Sequence, residues 1–101
     1  MAGKGKRGIT SAELSSFCSQ VALILSAGLP LYDGMETLAE TTRGSEYADL
    51  YLSASQGVTE TGSLHEALKR DDRWPNYLVE MAGIGEQTGQ LEQVMNGLAA
   101  W

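Results

Sequence analysis

Few side chains in this 101-residue sequence could perform covalent or acid–base chemistry. His65 is the only histidine and Cys18 the only cysteine. His65-Glu66 lacks the second histidine, four residues after the first, that a zinc-binding helix of the H-E-x-x-H type requires. Cys18 lies in an apolar stretch without a cationic neighbour to lower its pKa, so we expect a buried, unreactive thiol. We therefore expect no enzymatic activity and no cofactor, and we expect His65 at the surface.

Two pairs of carboxylates, Asp33 with Glu36 and Asp71 with Asp72, are the remaining candidates for a metal site. Either pair could hold a divalent cation weakly, because hard cations prefer oxygen ligands. The spacing of an EF-hand loop is absent. A solvated acidic surface is the interpretation that we favour.

Two glycine-rich stretches match phosphate-binding loops only in part. The stretch "GIGEQTGQL", residues 83–91, has its third glycine one position too late for the dinucleotide pattern G-x-G-x-x-G. The stretch "GVTETGS", residues 57–63, places Ser63 where a phosphate loop needs lysine, and Glu60 would repel phosphate. Neither stretch predicts a nucleotide site.

Small residues in the first of these stretches predict close helix packing instead. Ala82, Gly85 and Gly89 recur at steps of three and four, which places them on one face of a helix. A glycine such as Gly83 or Gly85 inside a helix costs about 1 kcal/mol relative to alanine. We expect close approach of a second helix to offset that cost.

Composition indicates one folded domain. The chain is 43% hydrophobic and 20% charged, as in ordinary globular proteins. A single cysteine excludes an intramolecular disulfide and favours a reducing compartment. The longest nearly apolar run, residues 21–31, contains Gly28 and Pro30 and is shorter than the roughly 20 residues of a membrane span.

Charge is distributed unevenly along the sequence. Residues 1–10, which include Lys4, Lys6 and Arg7, predict a basic, flexible tail. Such a tail could touch anionic lipid, but three charges are fewer than the usual cluster of about four to eight. Residues 8–101 contain four Lys or Arg against thirteen Asp or Glu, a net charge of −9. That charge predicts no binding to nucleic acid.

Residues 11–101 predict an all-α domain of six helices, with no strand-like alternation. We expect capping boxes at the first and fourth helices, a serine cap at the third, and a proline in the first turn of the second and fifth. The residues concerned are Thr10 with Glu13, Ser63 with Glu66, Ser45, Pro30 and Pro75. Trp74 is expected to wedge against the bundle. The chain ends at Trp101 without a stop signal, as though cut through a helix.

A recurring junction suggests how the helices are connected. Gly28, Gly62 and Gly89 each precede, by two or three residues, a leucine that opens the next apolar face: Leu31, Leu64 and Leu91. Glycine ends a helix readily because it adopts the left-handed conformation without steric cost. The pattern predicts a six-helix bundle built from three antiparallel helical hairpins.

Four segments together resemble the cytoplasmic domain of the type II secretion system F family. The family features F-x-R-Q-L, L-L-x-A-G-L-P-L, G-x-S-L-x-x-A-L and G-E-x-x-G-x-L-x-x-V-L are matched by residues 17–21, 25–31, 62–68 and 85–95. Ser19 and Val21 depart from the family's arginine and leucine. The motif residues that we single out as structural or interaction residues are Gly28, Pro30, Gly62, Gly85, Glu86, Gly89 and Leu91.

The resemblance implies a scaffold in the bacterial inner membrane. Such proteins are platform proteins of type II secretion and type IV pilus biogenesis, with two copies of this domain and about three membrane helices. "AGLP" is similar to the first repeat, so residues 11–101 would be the first cytoplasmic domain, truncated before a transmembrane helix. The implied partners are the assembly ATPase, pilin or pseudopilin subunits and other inner-membrane assembly components.

Two further expectations concern assembly and an alternative function. We expect a homodimer for two reasons. The sequence has more aromatic residues than a small core can hide, and the implied ATPase partner is symmetric. The aromatic residues are Tyr32, Tyr47, Tyr51, Tyr77, Trp74 and Trp101. The alternative function is a free-standing soluble helical adaptor for protein–protein interaction.

Overall fold

The computed structural model describes residues 8–100, which form six α-helices. The helices are α1 (Ser11–Ser26), α2 (Leu31–Thr41), α3 (Ala48–Thr61), α4 (Leu64–Lys69), α5 (Asn76–Thr88) and α6 (Leu91–Ala99). None of the described residues belongs to a β-strand. The predicted all-α fold with six helices is confirmed. Residues 1–7 of the predicted tail, and Trp101, lie outside the described residues.

The helices pack in chain order, and the last helix returns to the first. Each helix contacts the next one along the chain, and the most extensive contact joins α1 to α6. There the Ser15 hydroxyl donates a hydrogen bond to the carbonyl oxygen of Ala99 at 2.5 Å. The three predicted hairpins correspond to contacting helix pairs, so the arrangement is consistent with the prediction.

The predicted glycine junctions end three of the helices. Gly28, Gly62 and Gly89 have φ angles of 75°, 74° and 71°, in the left-handed region that glycine adopts without strain. They follow α1, α3 and α5 directly or after one capping residue. Gly44, with a φ angle of 89°, turns the chain between α2 and α3.

Two of the predicted N-caps are present, but neither capping box is complete. The hydroxyls of Thr10 and Ser63 accept hydrogen bonds from the backbone N–H groups of Glu13 and Glu66, both at 3.1 Å. The Glu13 carboxylate does not return to Thr10; it accepts a hydrogen bond from the Tyr51 hydroxyl at 2.5 Å. A side chain from another helix therefore competes with the local cap.

Three predicted helix starts differ from the structure. The third helix begins at Ala48, and the Ser45 hydroxyl accepts from the backbone N–H of Tyr47 in the preceding turn, so the prediction of Ser45 as its N-cap was wrong. Pro30 and Pro75 occupy N-cap positions with ψ angles of 136° and 146°, one residue before the first helical turn. An N-cap residue needs a non-helical ψ and no intrahelical N–H, which proline satisfies.

The core centres on three aromatic side chains from different parts of the chain. The ring of Phe17 lies 5.4 Å from that of Tyr51 and 4.5 Å from that of Trp74, between ring centroids. Trp74 is only 2% exposed, which confirms its predicted position against the bundle.

Cys18, the residue after Phe17, is also buried, and burial raises the pKa of its thiol to about 11. The predicted unreactive thiol is consistent with this environment.

Candidate functional site

Five of the seven predicted motif residues line one open cleft of about 570 Å³. We call it the motif cleft. It lies where the α3–α4 turn, the α5–α6 turn and the end of α1 meet. Its lining consists of Gly62, Gly85, Glu86, Gly89 and Leu91 together with Leu25, Glu92 and Gln93.

The other two motif residues, Gly28 and Pro30, lie in the turn between α1 and α2. Both are exposed, and neither lines the motif cleft. Gly28 supplies the positive φ angle of the turn, and Pro30 supplies the N-cap of α2. Leu25, one helical turn before Gly28, reaches the cleft. The structure therefore assigns these two residues to the shape of the turn.

Glu86 joins α5 to the start of α4. Its carboxylate accepts hydrogen bonds from the Ser63 hydroxyl at 2.7 Å, the backbone N–H of Leu64 at 2.5 Å and that of His65 at 3.4 Å. These N–H groups are among the four that have no partner within a helix. The negative charge also lies at the positive end of the helix dipole. Glu86 thus caps α4 from a neighbouring helix.

The shortness of α4 makes this cap important. α4 has six residues, and a helix of that length is not stable by itself. Leu64, Ala67 and Leu68 bury its apolar side in the core. Between them, the Ser63 and Glu86 side chains bond the backbone N–H groups of residues 64, 65 and 66. Burial and capping together hold α4 in place.

His65 combines partial exposure with a hydrogen bond to α5. It is partly buried, and its Nδ1 lies 2.8 Å from the carbonyl oxygen of Val79. A carbonyl oxygen only accepts, so Nδ1 carries the proton in this contact. A Cβ added to Gly83 would lie 2.9 Å from the same ring nitrogen. His65 is partly exposed in the first turn of α4, in agreement with the predicted surface position, and Gly83 leaves room for its ring against α5.

Gly85 is a packing residue, as predicted. An added Cβ would lie 2.9 Å from Cα of Leu91 and 3.2 Å from Cγ2 of Val94, distances that real Cβ atoms rarely reach. α6 therefore approaches α5 at this point more closely than any side chain would allow. Gly89 differs: no atom lies within 4 Å of its added Cβ, and its φ angle is 71°. The prediction that Gly89 packs on the same face was wrong, because its position is set by the turn.

Two further close contacts were missed at the sequence level. An added Cβ on Gly34 would lie 2.4 Å from Cγ2 of Ile24, where α2 meets α1. One on Gly57 would lie 2.6 Å from the Cβ atom of Ala67, where α3 meets α4. Glycine inside a helical pattern was the available signal, since it is unfavourable there unless packing compensates. The partner helix could not be read from the sequence.

The proposed acidic pairs have different surroundings. Asp71 accepts hydrogen bonds from Nε and Nη2 of Arg73, at 3.1 and 2.7 Å. These bonds, and a weaker contribution from Asp49, raise the pKa of Arg73. Asp33 and Glu36 are exposed on α2. Within residues 8–100, no three His, Cys, Asp or Glu side chains are grouped so that they could hold a metal ion.

The interactions described in the motif cleft are the hydrogen bonds of Glu86 and the close packing at Gly85.

None of the helices within residues 8–100 combines the length and the apolar character needed to cross a lipid bilayer.

Comparison with known proteins shows the family. Residues 17–101 match the family described as "Type II secretion system (T2SS), protein F". The match covers most of the chain, including every motif residue that lines the cleft. The chain belongs to the type II secretion system protein F family.

Curated relatives come from both secretion and pilus systems. The chain is 29% identical over 89 residues to "Type 4 fimbrial assembly protein PilC" of Pseudomonas putida, covering 88% of this chain and 22% of the relative. It is 29% identical over 97 residues to "Type II secretion system protein F" of Vibrio cholerae, covering 96% of this chain and 23% of the relative. A protein with the same name from Aeromonas hydrophila is 30% identical over 95 residues, covering 93% of this chain and 24% of the relative. The chain thus spans less than a quarter of the length of these relatives.

Proposed function

We propose that residues 11–101 form a cytoplasmic domain of an inner-membrane platform protein. In this role the domain scaffolds assembly of a type II secretion pseudopilus or a type IV pilus and couples it to the assembly ATPase. Membership in the family, together with relatives named for secretion and fimbrial assembly, supports the proposal. A transmembrane segment following residue 101 is part of it.

One observation carries the proposal beyond family membership: the motif residues hold helices together. Gly85 brings α6 against α5, and Glu86 fixes α4 to α5. A scaffold needs elements in fixed relative positions so that a displacement of one partner reaches another without being absorbed. A bundle closed by contact between its first and last helices meets this need. The chemistry of nucleotide hydrolysis would belong to the ATPase partner.

The test uses the native bacterium and the complete gene. We expect deletion of the gene to abolish pili or secretion, and the full-length protein to fractionate with the inner membrane and copurify with the assembly ATPase. Normal pili and secretion after deletion would contradict the proposal. A product found only in the soluble fraction would support a free-standing adaptor instead.

A further inference from the structure

A second depression, which we call the α2–α3 groove, lies away from the motif cleft. It has a volume of about 620 Å³ and shares no lining residue with the cleft. Its walls include Glu36, Ala39 and Glu40 of α2, and Leu52, Ser55 and Gln56 of α3. These positions recur at steps of three and four, so each wall is one continuous helical stripe.

The floor of the groove is apolar and accessible. Leu52 is 50% exposed, although it lies on the same helix as the fully buried Leu50 and Tyr51. Ala48 precedes Leu52 by one helical turn, and Ala39 belongs to the opposite wall. An isolated exposed leucine is common on protein surfaces. Leu52 is the largest apolar side chain among the lining residues, so it is the one that an apolar side chain of a partner would contact.

Ser55 contributes a polar group to the groove. The residue is 6% exposed and belongs to the lining. Within residues 8–100 the buried side-chain polar atom that lacks a partner is Trp74 Nε1, so the Ser55 hydroxyl is open to water. A polar group of a partner can replace that water.

The charged groups around the groove are mainly acidic. Four carboxylates and one guanidinium line it: Glu36, Glu40, Asp49, Glu60 and Arg43. Arg43 is paired with Glu40 at 2.6 Å, and the residues at the ends, Asp49 and Glu60, are paired with Arg73 and Arg70 from outside the groove. Glu36, the first lining residue of α2, has no ion pair within residues 8–100. A partner with a cationic side chain at this point would complement it.

We propose that the α2–α3 groove binds a basic amphipathic helix of another protein in the assembly machinery. One apolar side chain of that helix packs against Leu52, a polar group bonds the Ser55 hydroxyl, and a lysine or arginine lies opposite Glu36. The stripe from Asp49 to Glu60 is about 16 Å long at the rise of an α-helix, enough for about three turns of a docked helix. A groove between two helices favours a helical ligand over a strand. This inference rests on the proposed function and specifies the chemistry of one partner.

Other occupants from the same chain fit less well. All four Lys and Arg residues within residues 8–100 already form ion pairs, so the helices of a second copy offer no unpaired cation. The sequence of residues 1–8, "MAGKGKRG", is basic but has three glycines and no amphipathic pattern. Neither supplies a basic helix with an apolar face.

The test is photocrosslinking in the native cell with the full-length protein. A benzoylphenylalanine is placed at Leu52, and the matched control places it at Ile84 on α5, which is 49% exposed. We expect ultraviolet light to join position 52 to a Lys- or Arg-containing amphipathic peptide of another assembly protein, identified by mass spectrometry. Position 84 should not yield that peptide.

Charge variants make the test specific. Glu36→Lys should lower the yield of the adduct about fivefold, as expected for replacing an exposed attraction by repulsion, whereas Glu80→Lys on α5 should not change it. Ser55→Ala should also lower the yield, with unchanged circular dichroism. The proposal would be overturned by the absence of an adduct, by an adduct with a second copy or with residues 1–8, or by insensitivity to Glu36→Lys. Loss of pili on gene deletion with no adduct would overturn the groove and leave the proposed function standing.

Discussion

Replacing Glu86 by alanine should detach the start of α4 from α5. The change removes an acceptor that bonds the Ser63 hydroxyl at 2.7 Å and the backbone N–H of Leu64 at 2.5 Å. The bond to the backbone N–H of His65, at 3.4 Å, is long and adds little. After the change, the N–H of Leu64 has only water as a replacement partner. Water reaches this position poorly, because Leu64 is fully buried.

The expected cost follows from the two short bonds. A hydrogen bond to a charged group contributes about 1.5–3 kcal/mol to stability, and the lower end applies because the Glu86 side chain is partly exposed. Glu86→Ala should therefore lower the free energy of unfolding by about 2–3 kcal/mol. This is a large fraction of the 5–15 kcal/mol that is typical of a domain. Glu86→Gln, which keeps one acceptor oxygen, should cost about 1 kcal/mol.

Urea denaturation of the 101-residue chain, followed by circular dichroism, measures these differences. Glu80→Ala is the matched control, because Glu80 lies on the same helix and is exposed. It should remain within about 0.5 kcal/mol of the parent protein. Hydrogen exchange should show the loss of protection concentrated in residues 64–69. If Glu86→Ala unfolds at the same urea concentration as Glu80→Ala, the reasoning about the α4 cap is wrong.

Three further predictions concern packing, protonation and assembly. Gly85→Ala should destabilise the fold by about 1–3 kcal/mol, because its Cβ meets the backbone of Leu91. Gly97→Ala, which enters open space, should stabilise it by about 0.5–1 kcal/mol, and thermal melts that rank the two variants equally would contradict the packing argument. The thiol of Cys18 has its pKa raised from 9.0 to about 11, so the folded state holds the proton more firmly, and stability should fall as pH rises through this window. Urea midpoints between pH 8 and 11 should fall less steeply in Cys18→Ala, and equal slopes would exclude the thiol as a cause. Analytical ultracentrifugation should show a weak homodimer that is stronger in moderate salt, since salt screens the net negative charge; a strict monomer in both buffers would leave assembly to other parts of the protein.

Local signals in the sequence were sufficient for most helix boundaries. Thr10 and Ser63 cap their helices because each precedes a helical pattern with a side-chain oxygen that reaches the third N–H group. Gly62 and Gly89 end helices because few other residues adopt their φ angles. Ser45 misled because it is equally suited to a turn, and its hydroxyl bonds the backbone N–H of Tyr47 there.

Contacts between helices were harder to predict. Glu86 was chosen as a motif residue, but its role as the cap of α4 depends on placing residue 86 beside residues 63–65, which no local pattern specifies. The argument from aromatic surplus was wrong for Tyr51 and Trp74, since both are in the core. Tyr32 and Tyr77, at 53% and 45% exposed, remain available for an interface. Burial depends on which helices become neighbours, and that information is distributed over the whole chain.

The contact between α1 and α6 has a consequence for biosynthesis. Ser15 and Ala99 are separated by 84 positions, so α1 meets its most extensive partner among the six helices only after the other five have been translated. Until then the side of α1 that α6 covers has no cover on the nascent chain. Such surfaces bind chaperones or aggregate when synthesis stalls. Ribosome-bound chains ending before residue 91 should therefore be sensitive to protease. In chains long enough for α6 to leave the ribosome, all six helices should become resistant at the same chain length.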